Sequence, residues 1–241
     1  MTAEELLASH VRGDREFKGL SLRDANLTGA VLRDAIFDGT DLRNAKLARA
    51  DLRKTTFIDA DLRGADLRRA ALQHANLESA NLLDADVRNA LFDISTRVPE
   101  GFDVVAMGGL LIASGISCVG ADLTGAQLSG ARLDHATLRN TDLRGAVMIK
   151  AMLVECNLQG TLLGGANLEG SDLEGADLRG ADLRKAILRN ALFSRVRFDG
   201  ADLTGADLTG ADLSGADLRK ATLGGIIFDA STRFPPGYTP G

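Results

Sequence analysis

The chain has 241 residues, and its 28 basic and 33 acidic residues give a formal net charge of −5. Trp is absent, Tyr occurs once and Gly occurs 27 times, so the interior must be filled with many copies of Leu, Ala and Phe. The mildly acidic balance argues against direct nucleic-acid binding.

A short helix is predicted from Thr2 to about residue 12, within an N-terminal segment 1–14. Thr2 and Glu5 have the spacing of a capping box, in which each side chain bonds the backbone of the other residue. Apolar or large side chains recur at helical spacing at Leu6, Leu7 and either His10 or Val11. We expect this helix to cap one end of the structure that follows.

From Phe17 the period becomes five, and the large apolar residue of each unit is called position i. Sixteen units run without a slip from Phe17 to Phe92, and 22 more run from Leu123 to Phe228, one residue out of the first phase. In the first block the residue at i−2 is mostly Ala, from Ala25 to Ala90, with Thr40 and Thr55 as polar exceptions. Position i−1 is often Asp, and Gly or a small polar residue closes many units.

Two similar segments end the two repeat blocks. Residues 92–102 read FDISTRVPEGF and residues 228–238 read FDASTRFPPGY. Proline cannot continue a hydrogen-bonded ladder, so both segments are predicted to leave the repeat. We therefore expect a loop insertion at 93–117 and a C-terminal tail at 230–241.

A period of five fits neither a regular strand nor a helix, and a short internal repeat of this kind indicates a solenoid. Positions i−2 and i have the spacing at which side chains of an extended chain point the same way. The units ADLTG, ANLEG and ADLRG resemble the pentapeptide repeat family. That resemblance implies a right-handed quadrilateral β-helix in which four units form each coil.

The expected fold is therefore an all-β solenoid with a short N-terminal helical cap and one long inserted loop. We expect residues 1–241 to form a single solenoid domain, with repeat blocks at 15–92 and 118–229. Positions i−2 and i should fill its interior, and positions i−1 and i+1 should face solvent.

The outward surface is predicted to carry many Asp and Arg residues. Eight units read Asp-Leu-Arg, beginning at Asp41, Asp51, Asp61, Asp66, Asp142, Asp177, Asp182 and Asp217. Every fourth unit should stack on the same face, which places Arg23, Arg43 and Arg63 in one column. This surface is either a charged binding face or a solvated face on which Asp and Arg neutralise each other.

One region places apolar residues at outward positions as well as inward ones. This candidate apolar patch consists of Val147, Ile149, Met152, Val154 and Leu162. Exposed contiguous apolar surface marks partner sites in many proteins. The alternatives are that the loop at 93–110 or the N-terminal helix packs over the patch, or that it has no consequence.

No catalytic, cofactor-binding or metal-binding constellation stands out, so we expect no enzyme activity and no cofactor. His10, His74 and His135 lie far apart, and the last two fall at corner positions. Cys118 and Cys156 should both point inward, about two coils apart and beyond disulfide reach, as inert buried thiols.

These observations favour a non-catalytic scaffold that binds an unidentified protein partner. The alternative, implied by some members of the resembled family, is a DNA-mimicking inhibitor of a type II topoisomerase, DNA gyrase. The near balance of acid and base, and a C-terminal sequence FPPGYTPG without a helix, depart from that pattern. We expect a cytoplasmic monomer with no membrane span, since the longest apolar run, 104–116, is too short for one.

Overall fold

A computed structural model describes residues 1–238, which form two compact units, Met1–Ile112 and a second that begins at Ala113. Helix α1, Ala3–Val11, opens the first unit. The predicted capping box is confirmed, because Glu5 N donates to Thr2 Oγ1 at 3.2 Å and Thr2 N donates to Glu5 Oε2 at 2.8 Å. The helix buries Leu6 and His10, whereas Val11 is exposed.

In both halves of the structure the repeats form regular coils. Within the regular coils, parallel bridges join i−1 residues to the i−1 residues four repeats later, as in Glu16 with Ile36 and Asp122 with Asp142. The N–H at each position i donates to the next coil, for example from Leu22 to Asp41 O at 2.8 Å. Four repeats therefore make one coil, as the resemblance implied.

The corner of each repeat explains why Gly and Asn recur in the sequence. Ala25 N donates to Leu22 O at 3.1 Å, and the third residue of that turn, Asp24, has φ 56°. Gly29 takes the same place in the next repeat with φ 67°. Gly enters this left-handed region without steric cost, and Asn and Asp tolerate it better than most residues.

Large residues at i and small residues at i−2 fill the interior, as predicted. Phe17, Phe37 and Phe57 stack along one column with ring centroids 5.6 and 5.4 Å apart. The two polar exceptions at i−2 in the first block satisfy their hydroxyl groups internally. Thr40 Oγ1 donates to Phe17 O at 2.7 Å, and Thr55 Oγ1 donates to Leu52 O at 2.6 Å.

The expectation that i−1 and i+1 always face solvent is wrong at several positions, where the residues are buried: Asp51, Arg53, Ala71, Gln73, Leu91 and Asp207. Asp51 and Arg53 are buried together. Arg53 Nε and Nη2 donate to the two carboxylate oxygens of Asp51 at 2.7 and 2.6 Å. A buried ion pair is tolerated when the charges satisfy each other with this bidentate geometry.

The first unit contains the only regular strands of the described residues. Strand β1, Leu91–Asp93, pairs in parallel with strand β2, Leu110–Ile112. The predicted insertion at 93–117 is therefore a shorter excursion that rejoins the coil at β2. Val98, Phe102 and Val104 pack against the core of this unit.

The two segments that end the repeat blocks share the sequence FDxSTR, in which x is Ile94 or Ala230. Both FDxSTR segments stay in the hydrogen-bonded ladder longer than predicted. Arg97 bridges Asn76, and Arg233 bridges Asp212. In each pair the two bridged residues are therefore separated along the chain by one residue more than in a regular coil. The chain leaves the ladder only after these arginines, where the prolines follow. The predicted tail therefore begins later than residue 230, and its end, 239–241, lies outside the described residues.

Candidate interaction surfaces

The apolar patch lies in the second unit, on outward positions of three repeats: Val147 and Ile149 in one, Met152 and Val154 in the next, and Leu162 two repeats further on. Met152 and Leu162 occupy i−1 positions and are 40% and 36% exposed. Val147, Ile149 and Val154 are half-buried. None of the five belongs to the buried core, so the structure places their side chains on the outer surface as the repeat register indicates.

Polar residues flank the patch in the coils above and below. Val147 bridges Gln127 and Asn167, and Met152 bridges Arg132 and Asp172. Leu162 likewise lies between Asp142 and Asp182. Each of these three residues therefore has polar neighbours in the direction of coil stacking. Because four repeats make one coil, Leu162, two repeats after Met152, lies on the opposite side of the coil, and the contiguous part of the patch is Val147, Ile149, Met152 and Val154 on two adjoining sides.

The predicted charged surface consists of paired charges. In all eight Asp-Leu-Arg repeats, Arg Nη2 donates to the Asp carboxylate of its own repeat at 2.5 to 2.7 Å. Columns also form as predicted, because Arg43 Nε lies 3.6 Å from Asp61 in the next coil. The hydrogen bond from Arg43 lowers the pKa of Asp41 to about 2 although partial desolvation opposes it.

The histidines are held by nearby groups. His74 Nε2 lies 3.2 Å from Asp93 Oδ2, and His135 Nδ1 lies 3.3 Å from Glu155 Oε2. Both side chains are exposed at corners, as the sequence predicted. His10 lies apart from them, on α1, with Nε2 at 3.0 Å from Arg33 O.

Both cysteines are buried and free, which confirms the prediction for their side chains. Burial raises the pKa of Cys118 and raises that of Cys156 to about 12. Within residues 1–238, no group of three or more His, Cys, Asp or Glu residues could hold a metal ion. Nor does any helix in this range have the length and apolarity needed to cross a membrane.

The comparison with protein families identifies the repeat. A family model described as pentapeptide repeats matches with eight copies over residues 21–57, 56–93, 121–160, 151–190 and 186–225. The chain belongs to the pentapeptide repeat family. Membership implies a right-handed β-helix and agrees with the four-repeat coils of both units.

Solved pentapeptide repeat proteins are similar to this chain. HetL, a protein involved in heterocyst differentiation regulation from Nostoc sp. strain PCC 7120, is 28% identical over 100% of both chains, with a TM-score of 0.33. The alr5209 protein from Nostoc PCC 7120 is 37% identical over 46% of this chain and 95% of its own, with a TM-score of 0.28. QnrB1, a plasmid-mediated fluoroquinolone resistance protein, is 22% identical over 90% of this chain and 92% of its own, with a TM-score of 0.26. No curated protein matches the chain.

The sequence reasoning missed one surface feature of the first unit. A groove, called here the arginine groove, runs along one corner of successive coils. Its lining consists of Ala48, Arg49, Arg68, Arg69, Arg88 and Asn89. The signal was present in the sequence, because two pairs, Arg49 with Arg69 and Arg68 with Arg88, each have the spacing of one coil.

Proposed function

We propose that this pentapeptide repeat protein is a non-catalytic scaffold that binds another protein through the apolar patch. The exposure of Met152 beside the half-buried Val147, Ile149 and Val154 carries the proposal, because the i−1 position that Met152 occupies is often Asp elsewhere in the chain. Exposed apolar side chains lose unfavourable contact with water when a partner covers them. The polar residues at the border of the patch match the polar rim of many protein interfaces.

The repeat supports this role because it holds the patch in a fixed geometry. Met152 N donates to Ala131 O at 2.9 Å, and Leu162 N donates to Thr141 O at 3.0 Å. The inward neighbours Met148, Leu153 and Leu163 are buried. A right-handed quadrilateral β-helix of this construction presents a preorganised surface, which lowers the entropic cost of binding.

The absence of enzyme activity is part of the same proposal. The thiols of Cys118 and Cys156 are buried with raised pKa values, so neither is a ready nucleophile. Binding would instead be the whole task of a cytoplasmic monomer. A partner protein would supply any chemistry that the assembly performs.

The second candidate, inhibition of DNA gyrase by DNA mimicry, receives less support. A DNA mimic needs a continuous negative field. Here each Asp-Leu-Arg repeat keeps a guanidinium within hydrogen-bond distance of its carboxylate, as in the 2.6 Å contact between Arg63 and Asp61. Such pairing weakens the field at the surface.

A capture experiment with three baits tests the proposal. The wild type, M152K/V154K and the control L192K would be immobilised after thermal melts confirm that all three fold. Leu192 is 47% exposed and lies in the same column as Met152, two coils away, so its substitution alters a matched site outside the patch. Lysine in the patch would place a charge in a desolvated interface, which is costly.

We expect one protein to be captured by the wild type and by L192K but not by M152K/V154K. If that protein is gyrase, the alternative function takes precedence. Equal capture by all three folded baits, or capture by none, would contradict a role for the patch in binding.

A further inference from the structure

The arginine groove is a concave site on the surface of the first unit. Its volume is about 390 Å³, which falls within the range of about 300–1,000 Å³ that small-molecule sites occupy. Four of its six lining residues are arginines, and none is acidic. This concentration of guanidinium groups stands out in a chain whose formal net charge is −5.

The repeat itself builds the groove. Arg49, Arg69 and Asn89 occupy the same corner of three successive coils, with φ values of 60°, 60° and 58°. Arg68 and Arg88 each precede that corner residue in their own coils. Because adjacent coils are separated by one strand spacing of about 4.8 Å, the side chains form two adjoining rows.

Arg68 and Arg88 are oriented by carboxylates outside the groove lining. Arg68 Nε and Nη2 donate to Asp66 at 2.8 and 2.7 Å, and Arg88 Nε and Nη2 donate to Asp86 at 2.9 and 2.6 Å. Arg68 Nε also lies 3.5 Å from Asp86 Oδ2. These bonds use one edge of each guanidinium group and leave Nη1 for another acceptor.

Arg49 supplies a complete guanidinium group. Within residues 1–238 its side chain makes no hydrogen bond or ion pair, and the residue is exposed. Its backbone is fixed, since Arg49 N donates to Arg68 O at 2.9 Å. The groove thus combines an unpaired guanidinium with the outer edges of two that are already held in place.

We propose that the arginine groove binds a small molecule that carries phosphate groups. Planar guanidinium groups bind phosphate oxygens in a bidentate manner with charge-assisted hydrogen bonds. The donors come from several side chains in neighbouring coils, so they suit an anion with charge on many oxygens better than a single carboxylate. The site is independent of the apolar patch, which lies in the second unit.

Isothermal titration of the full chain with pyrophosphate tests this site, with R49Q as the decisive variant. We expect saturable binding by the wild type and a loss in affinity of at least about tenfold in R49Q, because the unpaired guanidinium is removed. K54Q is the matched control. Lys54 is an exposed cation at the next corner with φ 61°, so K54Q removes the same charge outside the groove and should retain affinity within about twofold.

Two further measurements complete the test. Acetate at the same ionic strength should bind at least about tenfold more weakly than pyrophosphate, because it presents fewer oxygens and less charge. R49K keeps the charge but loses the planar fork, so its affinity should lie between those of the wild type and R49Q. If R49Q does not fold, the affinity of R49K for pyrophosphate decides whether Arg49 contributes to binding.

The proposal is overturned if pyrophosphate does not bind the wild type, or if R49Q and R49K bind it as tightly as the wild type does. Equal binding of acetate and pyrophosphate would overturn the assignment to phosphate.

Discussion

Residues 92–98 and 228–234 carry the same FDxSTR sequence and form the same hydrogen bonds in the two units. Thr96 Oγ1 accepts from Asp93 N at 3.0 Å and donates to Leu72 O at 3.0 Å. Thr232 Oγ1 accepts from Asp229 N at 3.1 Å and donates to Leu208 O at 3.0 Å. Both segments insert one extra residue into the coil before the next bridge.

The two segments differ in burial. Phe92 is 1% exposed, whereas Phe228 is 42% exposed. In the first unit β2 returns and pairs with β1, which contains Phe92. Among the described residues, the stretch that contains Phe228 has no such strand on its outer side. Local sequence therefore fixes the hydrogen bonds of the segment, while its burial depends on what stacks against it.

The largest expected effect separates the two phenylalanines. Phe92→Ala should lower the free energy of unfolding by about 3–5 kcal/mol, because it leaves a cavity in a closed core. Phe228→Ala should cost less than half of that, since the ring is already partly in water. Urea unfolding followed by circular dichroism measures both values, and equal losses would show that burial does not distinguish the segments.

A smaller effect should be the same in both segments. Thr96→Val and Thr232→Val keep the side-chain shape but remove the hydroxyl that accepts from the Asp N–H. Each should cost about 1–2 kcal/mol. The same urea titrations provide the values, and a difference between the two variants larger than about 1 kcal/mol would contradict an equivalent role for the two threonines.

The smallest expected effect concerns the second segment alone. The hydrogen bond from Ser231 Oγ, helped by backbone N–H groups, holds the pKa of Asp229 below its usual range although desolvation opposes it. A lowered folded-state pKa means that the carboxylate stabilises the fold above its unfolded pKa of about 3.9 and loses that contribution as pH falls. The melting-temperature advantage of the wild type over Asp229→Asn should therefore shrink below about pH 4. If the difference in melting temperature between the wild type and Asp229→Asn stays constant across that pH range, protonation of Asp229 does not affect stability.

Most side-chain positions within the coils could be predicted from the sequence, because each residue contacts neighbours that lie at fixed separations along the chain. Phe17 and Phe37 lie four repeats apart, and the structure stacks their rings. The capping box at Thr2 and the inward direction of Cys156 follow from equally local rules. The candidate patch residues were placed on the outer surface by the same register, while their role in binding stays a prediction.

Other features depended on contacts that have no fixed separation along the chain. Periodicity did not choose between His10 and Val11, and the structure buries His10 beside Arg33 O. Asp51 and Arg53 are buried, although the repeat register predicts that both face solvent. The Asp and Arg side chains of the other Asp-Leu-Arg repeats are exposed to different degrees. The arginine groove arises where two rows of arginines adjoin, which the repeat pattern alone does not display.

The sequence by itself determined the five-residue repeat and the inward or outward direction of most side chains, whereas the coil of four repeats was implied by the resemblance to the pentapeptide repeat family. The physical reason is that a repeat meets its neighbours through the same backbone ladder in every coil. Only the tertiary structure decided which outward residues are covered, where FDxSTR leaves the ladder and which corners form a groove. The burial of Phe92 depends on β2, which returns to pair with β1, and the groove depends on which side chains stack at one corner of successive coils.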